Sequence, residues 1–213
     1  MEIIAHRGFW DKADDQNTLD SFIAALSHGF GIETDLRDFN GEIVISHDVP
    51  SAASLSMEDF INEYVLITEK YDNSPNLALN IKSDGLQDEV KKILTSHNIS
   101  NYFFFDMSVP DTLGFIKSNL KLFTRRSEFE DENKLIDQAD GIWLDQFHGI
   151  WFNFSLINDY LNRGKKVCVV SPELHRREFK EFWTELRENI TSDHENIMIC
   201  TDYPIEAERF FNE

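Results

Sequence analysis

Short apolar runs of strand-like length recur along the chain and alternate with segments of helical period. Eight such runs predict strands, at residues 3–5, 31–35, 77–81, 102–106, 121–124, 141–145, 167–171 and 197–201. Apolar residues three and four apart predict helices between several of them, most clearly around Phe182, Trp183 and Leu186. An α/β chain of eight βα units favours a single (β/α)8 TIM barrel, with a doubly wound open sheet as the alternative.

One predicted element departs from this alternation, directly after the second strand. Asn40-Gly41 is a turn dipeptide and apolar residues 43–45 follow it, so we expect a small β-ribbon there. Helical period is weak between the fourth and sixth strands, whereas Asn17 before Leu19 indicates a helix start. Because the sequence contains neither a linker nor a second hydrophobic core, we expect residues 1–213 to form one domain.

Composition restricts the classes of partner and the compartment. Twenty Lys and Arg against 39 Asp and Glu give a net charge of −19. Such a surface repels nucleic-acid phosphates and anionic lipids, so we expect no nucleic-acid partner and no stable membrane association. Cys168 and Cys200 lie in apolar runs without metal-ligand spacing. Together with the lack of a signal-like or membrane-spanning run, these cysteines predict a cytoplasmic protein with free thiols.

Polar side chains follow several predicted strands, at the edge where a parallel barrel collects its loops. Glu33 and Asp35 are two residues apart, so both leave one face of the second strand and can bind one hard cation. In so acidic a chain, the alternative is that Glu33 and Asp35 belong to an acidic rim that binds no ligand. Other polar residues at strand ends are His6, Arg7, Asn80, Lys82, Asp106, Asp145, Ser171 and Asp202.

Four short motifs, taken together, resemble the glycerophosphodiester phosphodiesterase family in order and spacing. They are Ala5-His6-Arg7-Gly8, Gln16-Asn17-Thr18-Leu19, Ile32-Glu33-Thr34-Asp35 and Ser46-His47-Asp48. Residues 79–82 and 199–204 are similar to the family's third-strand metal segment and its closing strand. The resemblance implies a (β/α)8 barrel that hydrolyses a small phosphodiester with a divalent cation, Mg²⁺ or Ca²⁺, and a role in lipid metabolism.

The resemblance also implies the roles of individual residues around the phosphate. His6 would be the nucleophile or general base, and His47 the proton donor to the leaving group. Arg7 and Lys82 would bind phosphate oxygens. His148, past the sixth strand, is a further candidate for contact with substrate. The remaining histidines lie in or beside predicted helices and are predicted surface residues: His28, His97, His175 and His194.

The implied metal ligands are Glu33, Asp35 and Asn80, and here the chain departs from the family. Asn80 occupies the place of a third-strand glutamate, and Gln16 that of another glutamate. An amide oxygen can bind Mg²⁺ or Ca²⁺ but adds no charge, so we expect weaker metal binding. Ser171-Pro172 predicts the start of the last long helix. Candidates to complete the shell are Asp106, Asp145 and Glu173.

Two other functions fit the same motifs. The first is a lyase that stops at a cyclic phosphate, as in the related phospholipase D toxins. The second is a phosphodiester-binding barrel that has lost turnover through its changes at Gln16 and Asn80. Retention of the other motif residues favours an enzyme, because drift would not be expected to spare all of them: His6, Arg7, Glu33, Asp35, His47 and Lys82.

Overall fold

The computed structural model describes residues 1–190 and 195–213, and it has an α/β fold with a mostly parallel sheet. Its strands are β1 (Glu2–His6), β2 (Gly31–Phe39), β3 (Glu42–Ile45), β4 (Leu55–Ser56), β5 (Leu77–Ile81), β6 (Tyr102–Phe105), β7 (Phe123–Arg126), β8 (Gly141–Leu144), β9 (Lys166–Val170) and β10 (Ile197–Thr201). A strand is present at each of the eight predicted positions, since apolar β-branched and aromatic runs suit buried strands.

Seven α-helices and three short 3₁₀ helices connect the strands in the described part of the chain. The α-helices are α1 (Leu19–Ser27), α2 (Met57–Tyr71), α3 (Gln87–Ser96), α4 (Val109–Lys117), α5 (Ser155–Asn162), α6 (Lys180–Asn189) and α7 (Pro204–Asn212). The 3₁₀ helices are Ala13–Asp15, Lys134–Gln138 and Pro172–His175. None of the helices in the described ranges combines the length and apolarity needed to cross a membrane.

Two helix starts differ from the prediction. Thr18 caps α1 by accepting a hydrogen bond from the Ser21 amide, whereas Asn17 has a left-handed φ of 56° and directs its side chain elsewhere. Ser171-Pro172 opens only a short 3₁₀ helix, because Arg176 takes a left-handed φ of 60° and ends it. The long helix α6 begins later, at Lys180.

The described residues group into two compact units. The first is Ala5–Leu122, where β2 pairs in parallel with β5 and β5 with β6. In the same unit β3 is antiparallel to β2, after a turn in which Asn40 and Gly41 both have positive φ. The second unit joins Met1–Ile4 to Phe123–Glu213, and its strands β7, β8, β9 and β10 are parallel neighbours in that order.

Buried apolar side chains hold the strands of each unit in place. In the first unit all of β5 is buried, and α1 packs on α2 with the Phe22 and Phe60 rings 4.6 Å apart. In the second unit Trp183 on α6 is buried and donates from Nε1 to Ser171 Oγ at 2.8 Å. Each such aromatic stabilises the fold by about 1.5–3 kcal/mol. The carboxyl ends of the strands therefore project from a packed core.

Candidate active site

Strand β2 carries two carboxylates that are almost fully buried, Glu33 and Asp35. Side chains alternate along a strand, so residues two apart lie on the same face. Asp35 is the register partner of Asn80 on the parallel neighbour β5, and Asn80 is buried as well. The fold therefore brings the three predicted metal ligands together on two adjacent strands.

Two cations and one amide surround the Asp35 carboxylate. Arg7 Nε lies 3.3 Å from Asp35 Oδ2, and Lys82 Nζ lies 3.3 Å from Asp35 Oδ1. Asn17 Nδ2 donates to Asp35 Oδ2 at 2.9 Å. A buried charge requires such partners, because its removal from water is costly. The pairing brings both predicted phosphate-binding residues to the carboxylate cluster.

The loop after β1 holds Arg7 at this position. Arg7 has a left-handed φ of 56°, its amide donates to the Glu33 carbonyl at 2.9 Å, and its carbonyl accepts from the Asn17 amide at 3.0 Å. The guanidinium also donates from Nη1 to Gln16 Oε1 at 3.1 Å. Gln16 thus orients the arginine through its neutral amide.

Asn17 has a positioning role that the sequence pattern did not indicate. Its Nδ2 binds Asp35, and its Oδ1 accepts from Thr34 Oγ1 at 2.8 Å. Asn is among the few residues that adopt a left-handed φ at low cost. The sequence therefore contained two indications of this role. Asn is a residue type that favours such loop conformations, and Asn17 stands close to the motif that contains Arg7.

Glu33 and Asp35 differ in their electrostatic surroundings. Whereas Asp35 has two cations within 3.3 Å, the contact of Glu33 is His6, whose Nε2 lies 3.8 Å from Glu33 Oε2. Burial, followed by the charge of Asp35, raises the pKa of Glu33 to about 7, although the positive groups nearby act in the opposite direction. A further positive charge at this cluster would favour the ionised form of Glu33.

The donor set suits a hard cation. Glu33 Oε2, Asp35 Oδ1 and Asn80 Oδ1 are buried oxygens without a hydrogen-bond partner. Such oxygens are the ligands that Mg²⁺ and Ca²⁺ prefer. The third donor is an amide, and the described residues contain no group of three or more His, Cys, Asp or Glu that could hold a metal. The ammonium of Lys82 contacts the same Asp35 oxygen, so a cation would share that ligand.

His47 follows β3, and its imidazole is accessible, with 47% of the side chain exposed. Its Nδ1 lies 2.9 Å from Oδ1 of the adjacent Asp48. The main chain is fixed by Arg37, which donates to the His47 carbonyl from Nη2 at 3.0 Å and to the Lys82 carbonyl from Nη1 at 3.3 Å. Arg37 is a second positioning residue that the sequence analysis missed. Arg37 is two residues from Asp35 on β2, so both side chains leave the same face of the strand. This two-residue spacing was the indication that the sequence contained.

A cavity of about 500 Å³ lies beside Arg7 and His47 within the Ala5–Leu122 unit. Arg7 and His47 both line it, together with Gln16 and Asn17. The predicted proton donor and the predicted phosphate-binding arginine therefore border the same space.

The remaining candidates have their own partners. In the unit that contains Phe123–Glu213, Glu173 is buried and accepts from Ser171, Thr201 and the Asp202 amide, and burial raises the pKa of Glu173. His148 is exposed there, and its ring lies edge-to-face with that of Phe129 at a centroid distance of 5.3 Å. Asp106 follows β6 with a left-handed φ of 66°.

His175 departs from its prediction as a surface residue. Its Nε2 lies 2.7 Å from Asp145 Oδ1, and the side chain is largely buried. The ring also contacts Phe147 at a centroid distance of 4.8 Å. The partners are 30 residues apart, so helical period around His175 could not indicate the pair. His194 lies outside the described residues.

No protein-family model matches the chain, and no curated protein matches it. Several solved structures share its fold. A Galdieria sulphuraria protein assigned to the glycerophosphodiester phosphodiesterases has a TM-score of 0.74 and 18% identity, over 100% of this chain and 98% of that one. An Oleispira antarctica phosphodiesterase, in complex with the product sn-glycerol-3-phosphate, has a TM-score of 0.72 and 16% identity, over 100% and 97%.

A third similar structure is a Ca²⁺-dependent phosphatidylinositol-specific phospholipase C from Streptomyces antibioticus. Its TM-score is 0.58 at 9% identity, over 98% of this chain and 95% of that one. Likeness at these identities establishes the fold.

Asn17→Ala should destabilise the fold by about 2 kcal/mol more than Asn40→Ala. Both residues have positive φ, at 56° and 52°, so alanine brings similar backbone strain to each. Asn40 is exposed in the β2–β3 turn, whereas Asn17 loses buried hydrogen bonds to Thr34 and the charged Asp35. Urea unfolding of the two variants measures the difference. Equal losses would contradict a positioning role for Asn17.

Proposed function

We propose that the chain is a divalent-metal-dependent phosphodiesterase that hydrolyses a small glycerophosphodiester. The observation that carries the proposal is the buried cluster of Glu33, Asp35 and Asn80 oxygens, with Arg7 and Lys82 beside it. Such a cluster offers ligands for a cation and donors for a phosphate anion within one site. The likeness in fold to a phosphodiesterase solved with sn-glycerol-3-phosphate supports a substrate that contains glycerol phosphate.

Glu33, Asp35 and Asn80 would hold the cation, and their all-oxygen donor set favours Mg²⁺ or Ca²⁺. When bound, the cation would neutralise charge on the phosphate and so stabilise the transition state. The Ca²⁺ dependence of one phospholipase C of similar fold supports a divalent ion.

The two histidines would move the protons. His6 takes the proton from the substrate hydroxyl beside the phosphate, that oxygen bonds to phosphorus, and the bond to the leaving alcohol breaks. His47 gives its proton to the oxygen of the leaving alcohol, with Asp48 at 2.9 Å from Nδ1 to orient the imidazole. Water then opens the cyclic phosphodiester, with the two histidines in exchanged roles. Arg7 and Lys82 donate to the phosphate oxygens throughout.

The wider proposal concerns the architecture and the compartment. We propose that the eight parallel strands close into one (β/α)8 barrel that forms a single domain, and that His148 contacts substrate. Cys168 and Cys200 are buried, and buried thiols of this kind are typical of a reducing compartment such as the cytoplasm. The net charge of −19 supports a small-molecule substrate over nucleic acid or an anionic membrane.

A panel of glycerophosphodiesters, assayed by phosphorus NMR, tests the proposed function. We expect glycerol phosphate as product, loss of turnover on treatment with EDTA, and recovery when Mg²⁺ or Ca²⁺ is added. A cyclic phosphate as the final product would show a lyase. Binding of a diester without turnover would show a binding protein, and full activity after exhaustive chelation would refute metal dependence.

His6→Ala and His47→Ala should each lower turnover by about 10² to 10⁴, because each removes one proton transfer. His28→Ala is the matched control, since His28 is exposed on the same unit and has no role in the mechanism. Steady-state kinetics and circular dichroism separate a lost proton transfer from a lost fold. Near wild-type turnover in either variant would remove that histidine from the mechanism.

Asn80→Glu should tighten binding of Mg²⁺ and Ca²⁺ by about tenfold or more, because it adds a third negative ligand. Asn80→Gln is the control, with the same added length and no added charge. Calorimetric titration of both variants and the wild type measures the affinities. Equal affinities for the Glu and Gln variants would mean that residue 80 is not a ligand.

A further inference from the structure

The cavity that Arg7 and His47 share is built from two loops of the Ala5–Leu122 unit. One wall comes from the segment between β1 and α1, where Ala13 and Leu19 line the space. The other wall comes from the segment after β3, where Ala53 and Leu55 line it. A volume of about 500 Å³ is within the range of small-molecule sites.

The second wall is preformed by its own hydrogen bonds. The Ser54 amide donates to the Ser51 carbonyl at 3.0 Å, and the Ser51 amide donates to Ser54 Oγ at 3.0 Å. The Ala53 amide also donates to Ser51 Oγ, at 3.2 Å. These contacts close a compact turn, so the wall keeps its shape before any ligand arrives.

We propose that this cavity holds the leaving alcohol of the phosphodiester, and that its walls select a small alcohol without negative charge. The inference rests on the proposed function. The leaving oxygen must lie within hydrogen-bond reach of its proton donor, so the rest of the alcohol occupies the space beyond that donor. His47 lines the cavity, whereas His6, which the structure also describes, is not among the lining residues. The cavity is therefore on the leaving-group side of the phosphate.

The lining chemistry defines the class of alcohol. Alanine and leucine side chains suit methylene and methyl groups, and the Ser54 hydroxyl offers a polar contact. Asp48 also lines the cavity, and 92% of its side chain is exposed. Arg7 lines the cavity as well, but its guanidinium is already engaged by Asp35 and Gln16. The charge of Asp48, on a protein with a net charge of −19, therefore disfavours an anionic alcohol and favours a neutral or cationic one.

Ala53→Leu tests the inference by filling the cavity, and Ala52→Leu is the matched control. Ala52 and Ala53 are neighbours and both are exposed, but Ala52 is not among the described residues that line the cavity. Two substrates share glycerol phosphate and differ in the alcohol, which is choline in one and methanol in the other. We expect Ala53→Leu to lower the ratio of kcat/KM for the choline ester over the methyl ester by about tenfold or more. Ala52→Leu should keep the wild-type ratio.

The other results separate failure of this inference from failure of the proposed function. An equal fall for both esters in Ala53→Leu would place the shared glycerol phosphate in the cavity and overturn the inference alone. An unchanged ratio with unchanged rates would show that the cavity is not used, which also overturns it. If the wild type turns over neither ester nor any other diester in the panel, the proposed function fails, and this inference fails with it.

Discussion

The buried Asp35 carboxylate is the group on which the candidate site depends. Two segments that are distant in sequence meet on it: the loop between β1 and α1, through Arg7 and Asn17, and the segment after β5, through Lys82. Removing one partner from a buried ion pair costs about 3–5 kcal/mol, since an uncompensated charge is left behind. The loops that carry Arg7 and Lys82 are therefore held by the same charge that a cation would use.

That pairing also links the two ligands of the proposed function. The Lys82 ammonium contacts the Asp35 oxygen that a cation would share, whereas Arg7 is held on its other side by Gln16. A lysine has a flexible stem and a compact charge, so it can leave the carboxylate more easily than a guanidinium with two fixed partners. Under the proposed function, Lys82 would exchange its contact with Asp35 for one with a phosphate oxygen when Asp35 holds the cation.

How far the sequence predicts this site depends on the range of each interaction. The strands follow from short apolar runs, and the shared face of Glu33 and Asp35 follows from the two-residue period of a strand. Asn17 is different, because its contact with Asp35 depends on how the loop before α1 meets β2. Local spacing does not encode such a contact. Arg37 donates to two main-chain carbonyls, and a side-chain motif contains no information on carbonyl positions.

The total charge of the cluster gives a physical reason for a neutral amide at position 80. A divalent cation would favour the ionised form of Glu33, so that Glu33 and Asp35 offset Arg7 and Lys82 and the site stays positive by the two charges of the cation. A phosphodiester brings one negative charge, and a second develops on the phosphoryl oxygens during the displacement, which matches that surplus. A carboxylate at position 80 would hold the metal more firmly and would also cancel part of the charge that stabilises the transition state. Under the proposed function, affinity for the cation and stabilisation of the reacting phosphate would therefore oppose each other at this residue, and the amide would favour the phosphate.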